Sequence, residues 1–227
     1  MKNPAPRLTR WVGLSVLAVS SLWLAGCAAP QPYDYTAFRA HPPRSILVLP
    51  PVNNSPDVDA TYSVLSQATM PLAEGGYYVL PVALVDETFR QNGLVNPPEM
   101  HAVPPAKLAD IFGADAALYI TITQYGVKYT ILDSASVVAA DARLVDLKSG
   151  DLLWQGSAQA SSSENSNNNQ GGLAGALIAA VVKQVLNNVT NQSHQVAGVA
   201  AQRLLSPGKH NGLLYGPRSP LFGTEKP

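Results

Sequence analysis

The chain has 227 residues, 46% of them hydrophobic, with 15 lysines and arginines against 15 aspartates and glutamates. That charge balance argues against nucleic acid, which demands a basic face. The hydrophobic share suits one domain with a real core, and a single cysteine leaves no internal disulfide.

The chain opens with Lys2, Arg7 and Arg10 and no acidic residue, followed by the apolar run from Trp11 to Leu24. Leu24-Ala25-Gly26 then offers small residues for cleavage. Residues 1–26 read as a secretory signal peptide, too short and wrongly flanked for a stable membrane span. Its removal leaves 12 basic residues against 15 acidic ones, a formal charge of −3. Cys27 could be a small buried hydrophobe, but nothing before it could build a core. It has no second cysteine and no nearby histidine to make a reactive or metal-binding thiol. The order Leu-Ala-Gly-Cys resembles the bacterial lipobox. That resemblance implies diacylglycerol on the Cys27 thiol, cleavage before it and acylation of the new amino group. Several acyl chains together hold stably, at roughly 0.8 kcal/mol per buried methylene. Ala28 follows the cysteine where aspartate would signal retention, which implies the outer membrane with the domain in the periplasm.

Residues 27–43 carry Pro30, Pro32, Pro42 and Pro43 and no apolar period, the pattern of a tether. Tyr33, Tyr35 and Phe38 either lie free with it or pack on the domain edge. The folded domain is expected over 44–206. Ser45 to Leu49 is a continuous apolar run bounded by prolines, a strand buried on both faces. A helix is expected from Pro56, with Ser55 as its cap and Val58, Tyr62, Leu65, Thr69 and Leu72 as the inward stripe. Gly75-Gly76 ends it. Tyr77 to Val82 is a second short strand. Val82, Val85 and Phe89 share a helical face closed by Asn92-Gly93, and Asn96 to Pro105 is a proline-rich loop. A third helix, Ala106 to Phe112, turns Leu108, Ile111 and Phe112 inward.

Strands follow. Leu118, Ile120 and Ile122 alternate with Tyr119, Thr121 and Thr123. Val138, Ala140, Ala142 and Leu144 mark one face of the next strand. Leu152, Trp154, Gly156 and Ala158 mark one face of the last, across a hairpin in which Gly150 suits the left-handed position. The order implies an α/β fold, a mixed β-sheet packed by helices. Ser161 to Gly172 is a polar loop that cannot bury enough surface to order itself. Leu173, Leu177, Ile178, Val181, Val182 and Val185 cover more than one helical stripe, and self-association would bury the surplus. A second helical piece, Val196 to Leu205, gives the fold an extra C-terminal helical segment. Residues 207–227 are rich in glycine and proline and read as a surface or disordered tail.

The segments "LADIFGADAALYITI" and "ARLVDLKSGDLLWQG" resemble motifs of periplasmic lipoproteins related to CsgG and to the amino-terminal domain of TolB. More narrowly, the chain resembles a proteobacterial family of lipoproteins of unknown function, often encoded beside a CsgG-like lipoprotein. The resemblance spans roughly 44–205 and rests on a Gly-Ala-Asp helix-to-strand turn and an Asp…Gly…Trp hairpin. It implies fold and location, and homodimers or larger homo-oligomers in envelope assemblies with other lipoproteins, CsgG-like ones among them.

Chemistry is harder to find. His41, His101, His194 and His210 have no partner at ligand spacing, so the expectation is solvated surface and no metal. Asp57 and Asp59 fit helix-terminus electrostatics better than paired-carboxylate chemistry. Asp86-Glu87 suits a solvated helix face, and Asp146 and Asp151 suit a turn. Gly171-Gly172-Leu173-Ala174-Gly175 lacks the lysine and serine or threonine of a phosphate-binding loop. No serine sits in a Gly-x-Ser-x-Gly setting. The sequence thus points to a non-catalytic protein without cofactor, anchored by lipid and working by assembly. A pore subunit, or a binder of a small ligand or cell-wall fragment, is the alternative.

Overall fold

The computed structural model describes residues 32–129, 134–166 and 192–224. The elements run α1 (Thr36–Ala40), β1 (Ser45–Val48), β2 (Val52–Asn53), α2 (Ala60–Glu74), β3 (Tyr78–Val79), α3 (Val82–Gln91), α4 (Pro97–His101), α5 (Pro105–Phe112), β4 (Ala116–Tyr129), β5 (Ser134–Asp146), β6 (Leu152–Ser161) and α6 (Gln192–Leu205). A short 3-10 turn, Ser162–Ser166, follows β6.

The sheet is mixed, in the order β3-β1-β4-β5-β6, with β2 also beside β4. β1 is parallel to β3 and β4, while β4, β5 and β6 run antiparallel. Pro50 and Pro51 have no N–H to give a ladder, so the chain breaks between β1 and β2. The ladder resumes where β2 meets Thr121 and Ile122 of β4.

Strand alternation sorts the core into two layers. Ile46 and Val48 of β1 join Leu118, Ile120 and Ile122 of β4 and Val138, Ala140, Ala142 and Leu144 of β5 on one face. Phe38 of α1, Val64, Leu65, Ala68 and Leu72 of α2, and Val196, Ala200 and Leu204 of α6 cover it. Leu47, Leu49, Ala117 and Tyr119 point to the other face, under Val85 and Phe89 of α3, Met100 of α4 and Leu108 of α5. This second layer stops short. Asp141 and Arg143 on β5 and Gln155, Ser157 and Gln159 on β6 are exposed.

Several elements differ from the sequence reading, each for a local reason. α2 begins at Ala60, not Pro56, because Asn53 accepts from the Ser55 N–H and hydroxyl and holds a turn there. The inward stripe is therefore Ala60, Val64, Leu65, Ala68 and Leu72, while Val58 is 85% exposed. In β6 a register shift opposite Leu144 and Val145 turns both Leu153 and Trp154 into the core and leaves Leu152 41% exposed. Ile111 faces out. The proline-rich loop contains α4, whose Pro97 and Pro98 fill first-turn positions that need no N–H.

At both ends of the domain the structure takes one of the alternatives the sequence left open, edge packing for Tyr35 and Phe38 and a surface path for the tail. One compact unit spans Tyr33–Pro227. Tyr35 and Phe38 are buried, with their rings packed edge to face at 6.5 Å, so tether character ends before them. The segment from 207 is strapped to the body. Leu213 is buried, Trp154 donates its indole N–H to the Asn211 carbonyl, and the Gly216 N–H reaches the Gly75 carbonyl at 2.8 Å. Cys27, the second half of the polar loop, and Leu173, Leu177, Ile178, Val181, Val182 and Val185 lie outside the described residues.

Candidate functional site

The densest polar cluster lies between α2, β4 and α6. Ser63 and Gln67 stand one turn apart on α2, so both reach the same neighbour. That neighbour is His194 in the first turn of α6, with Nδ1 2.8 Å from Ser63 Oγ and Nε2 2.8 Å from Gln67 Nε2. Tyr125 of β4 donates its hydroxyl to Ser63 Oγ at 2.7 Å. Burial raises the Tyr125 phenol's pKa, with the Ser63 bond lowering it and Asp57 and Asp59 raising it less. The sequence placed His194 on solvated surface. Its partners lie 131 and 127 residues away, and no spacing rule could have paired them.

A serine beside a histidine invites a catalytic reading, and the geometry points elsewhere. The Gln67 amide N–H donates to Nε2, so the ring proton sits on Nδ1 and is itself donated to Ser63. A hydroxyl that accepts from both His194 and Tyr125 is not being deprotonated by that histidine. The Ser63 N–H, a natural first donor to an oxyanion, is committed to the Asp59 carbonyl at 3.0 Å. What the cluster can do is fasten α6 to α2 and to the sheet.

The aspartates of the two motifs are fasteners as well. Asp115 accepts from the N–H groups of Arg44 and Ser45 and from the Ser45 hydroxyl, all through Oδ2. Burial pulls its pKa up, but the bonds from Ser45 and Arg44 outweigh that and the net shift is downward. Gly113 before it adopts φ 64°, which caps α5 and admits the turn. Asp146 accepts from the N–H groups of Lys148 and Ser149, and Gly150 closes the β5–β6 hairpin at φ 81°.

A second group sits where the outer helices end. The His101 Nε2–H donates to the Pro50 carbonyl at 2.9 Å, and its ring meets Tyr119 edge-on at 5.3 Å. The Arg143 guanidinium lies over the Tyr119 ring, 5.6 Å from its centre. Burial lowers the His101 pKa; the Pro50 bond opposes this and the Arg143 charge adds to it. Burial raises the Tyr119 phenol. The sequence treated His101 as a loop histidine; it is half-buried at the border of the uncovered sheet face. Lys209, by contrast, spends its ammonium on the Gln202 and Arg203 carbonyls at the end of α6.

Among the described residues no group of three or more His, Cys, Asp or Glu side chains could hold a metal ion. None of the described helices is long and apolar enough to cross a membrane.

The family model "Putative lipoprotein GNA1162-like" matches residues 33–218. A relative from Neisseria meningitidis serogroup B, "Putative lipoprotein NMB1124/NMB1162", is 52% identical over 214 residues, 94% of this chain and 97% of that protein. The crystal structure of lipoprotein GNA1162 from Neisseria meningitidis, at 53% identity, covers 64% of this chain and all of its own with a TM-score of 0.53. It bears out the mixed sheet packed by helices.

Proposed function

Because the chain belongs to the GNA1162-like lipoprotein family, we propose that it is a lipid-anchored, non-catalytic accessory protein of the outer membrane. Its domain works in the periplasm by binding other envelope lipoproteins and further copies of itself. One observation carries this reading. Among the described residues, Ser63, His194, Tyr125, Asp115 and Asp146 hydrogen-bond within the fold and fasten it, while the second face of β5 and β6 stays open and polar. Such a face is a surface for another protein rather than a cleft for a small substrate.

Cys27 is the acylated residue in this reading, since the signal peptide and the Leu-Ala-Gly-Cys order converge on it. The apolar stretch Leu173, Leu177, Ile178, Val181, Val182 and Val185 supplies the self-association surface. A CsgG-like lipoprotein is the partner suggested by the motif resemblance.

Affinity purification of the full lipidated chain from membranes, followed by mass spectrometry, tests the proposal. A fixed set of envelope lipoproteins in constant ratio supports it. Recovery of the chain alone overturns the partner claim.

A pore subunit is the second reading, because β4 and β5 have 14 and 13 residues, more than the roughly 9–11 that cross a bilayer. The exposed Asp141 and Arg143 within β5 weigh against it. A ring seen by microscopy of the purified assembly would favour it.

A further inference from the structure

We propose that the domain sits on the membrane by the end where Tyr33 meets Asn211, with lipid headgroups as the occupant of that surface, and that the β4–β5 hairpin points away. The inference rests on the lipid-anchor reading and deepens it.

The first argument is the length of chain between anchor and domain. Six Cα steps separate Cys27 from Tyr33. At most they span about 20 Å. Part of that reach crosses the headgroup layer, about 5–8 Å on each side of the bilayer. A compact unit of roughly 190 residues has a radius of gyration near ~16 Å, so the leash is shorter than the body it holds.

The second argument is that the leash ends on a fixed point. The Tyr33 N–H donates to Asn211 Oδ1 at 2.9 Å, and its ring packs against Tyr35 at 4.9 Å. The Tyr35 hydroxyl donates to the Gly212 carbonyl, and the Asn211 carbonyl takes the Trp154 indole N–H. The domain therefore begins at Tyr33, and no slack follows it.

Register places that point in the sheet. Trp154 pairs with Leu144, and Leu144 with Leu118, near the start of β4. The far end of the hairpin is the Tyr129–Ser134 pair. Eleven residues of β4 separate the two, about 35 Å of extended strand. A hairpin-down orientation would lift Tyr33 roughly that far from the surface, beyond the ~20 Å leash. The surface that remains within reach includes Arg39, whose guanidinium stands over the Tyr35 ring at 5.9 Å, and the exposed His210 beside Asn211. The part-exposed Tyr33 and the exposed cations at this end suit the headgroup level.

The test uses the full acylated chain in vesicles of phosphatidylethanolamine and phosphatidylglycerol with nitroxide-labelled headgroups. Cys27 is the only native cysteine, so His210→Cys and Val127→Cys each offer one site for a fluorophore. The label at 210 should lose most of its emission and the label at 127 should keep it. A flexible spacer of about twenty residues before Tyr33, long enough to free the body, should bring 210 to the level of 127. Equal quenching at the two sites in acylated protein overturns the orientation alone. Absence of incorporated fatty acid overturns the lipid-anchor reading and the orientation with it.

Discussion

The indole of Trp154 occupies the space in which a β-carbon on Gly156 would lie, 2.4 Å from Cζ2 and 2.9 Å from Cη2. The two residues stand on the same face of β6, and the rigid ring has no flexible end to move. Gly156→Ala should therefore push the indole out of the core and cost about 1–3 kcal/mol, the usual penalty of overpacking. Trp154 is 1% exposed, and Trp154→Ala should cost roughly 3–5 kcal/mol and loosen the strap at Asn211. Thermal unfolding of both variants checks this. An unchanged midpoint in either would mean that Trp154 does not pack as described.

That pair also marks how far the sequence could be read. The alternation of Leu118, Ile120 and Ile122 against their neighbours gave the phase of β4, and the structure keeps it. Trp154 was placed inward from the same rule, but its strand-mate Leu152 was not legible, because a register shift adds one residue opposite Leu144 and Val145. The α2 stripe was read correctly at Leu65 and Leu72 but wrongly at Val58 and Tyr62, because a capping serine and a proline look like a helix start even where an Asn53 turn claims them. His194, Ser63 and Tyr125 were invisible as a set, since only tertiary packing brings α6 to α2. The aspartates of the two motifs were legible as turn residues. Their partners, such as Ser45 for Asp115, lie across the sheet and were not.

Acid should destabilise the domain in two windows. The folded-state pKa of Asp115 lies below its ordinary value. Its contribution is present above the unfolded carboxylate pKa near ~3.9 and is lost as pH falls through the lower folded value. The His101 pKa also lies below its ordinary value, here because of burial, so the unfolded chain takes up a proton first and stability declines as pH drops below about 6.5. Denaturant unfolding against pH should show both declines. His101→Gln should flatten the upper one and Asp115→Asn the lower one. A profile unaltered by either substitution would contradict the assignments.

The Ser63–His194–Tyr125 cluster should behave as a fastener. Tyr125→Phe removes one donor to Ser63 and should cost about 0.5–1.5 kcal/mol. His194→Ala should cost a similar amount, and the double variant should lose less than the sum, because the two residues share Ser63. Strict additivity in urea unfolding would show that the chain of hydrogen bonds does not act as a unit.

Self-association should depend on the apolar stretch from Leu173 to Val185. Val182→Glu places a charge on its surplus stripe and should turn an associating domain into a folded monomer in sedimentation. A parent domain that sediments as a monomer at high concentration would remove the homo-oligomer from the account.

The central claim is that Cys27 carries the lipid, and the intact mass of the protein extracted from membranes tests it most directly. The account predicts a chain beginning at Cys27, heavier than its sequence by a diacylglyceryl group and an acyl group, and a Cys27→Ser variant that accumulates as an unprocessed precursor from Met1. A mature chain with an unmodified thiol at Cys27, or one that begins elsewhere, would contradict it.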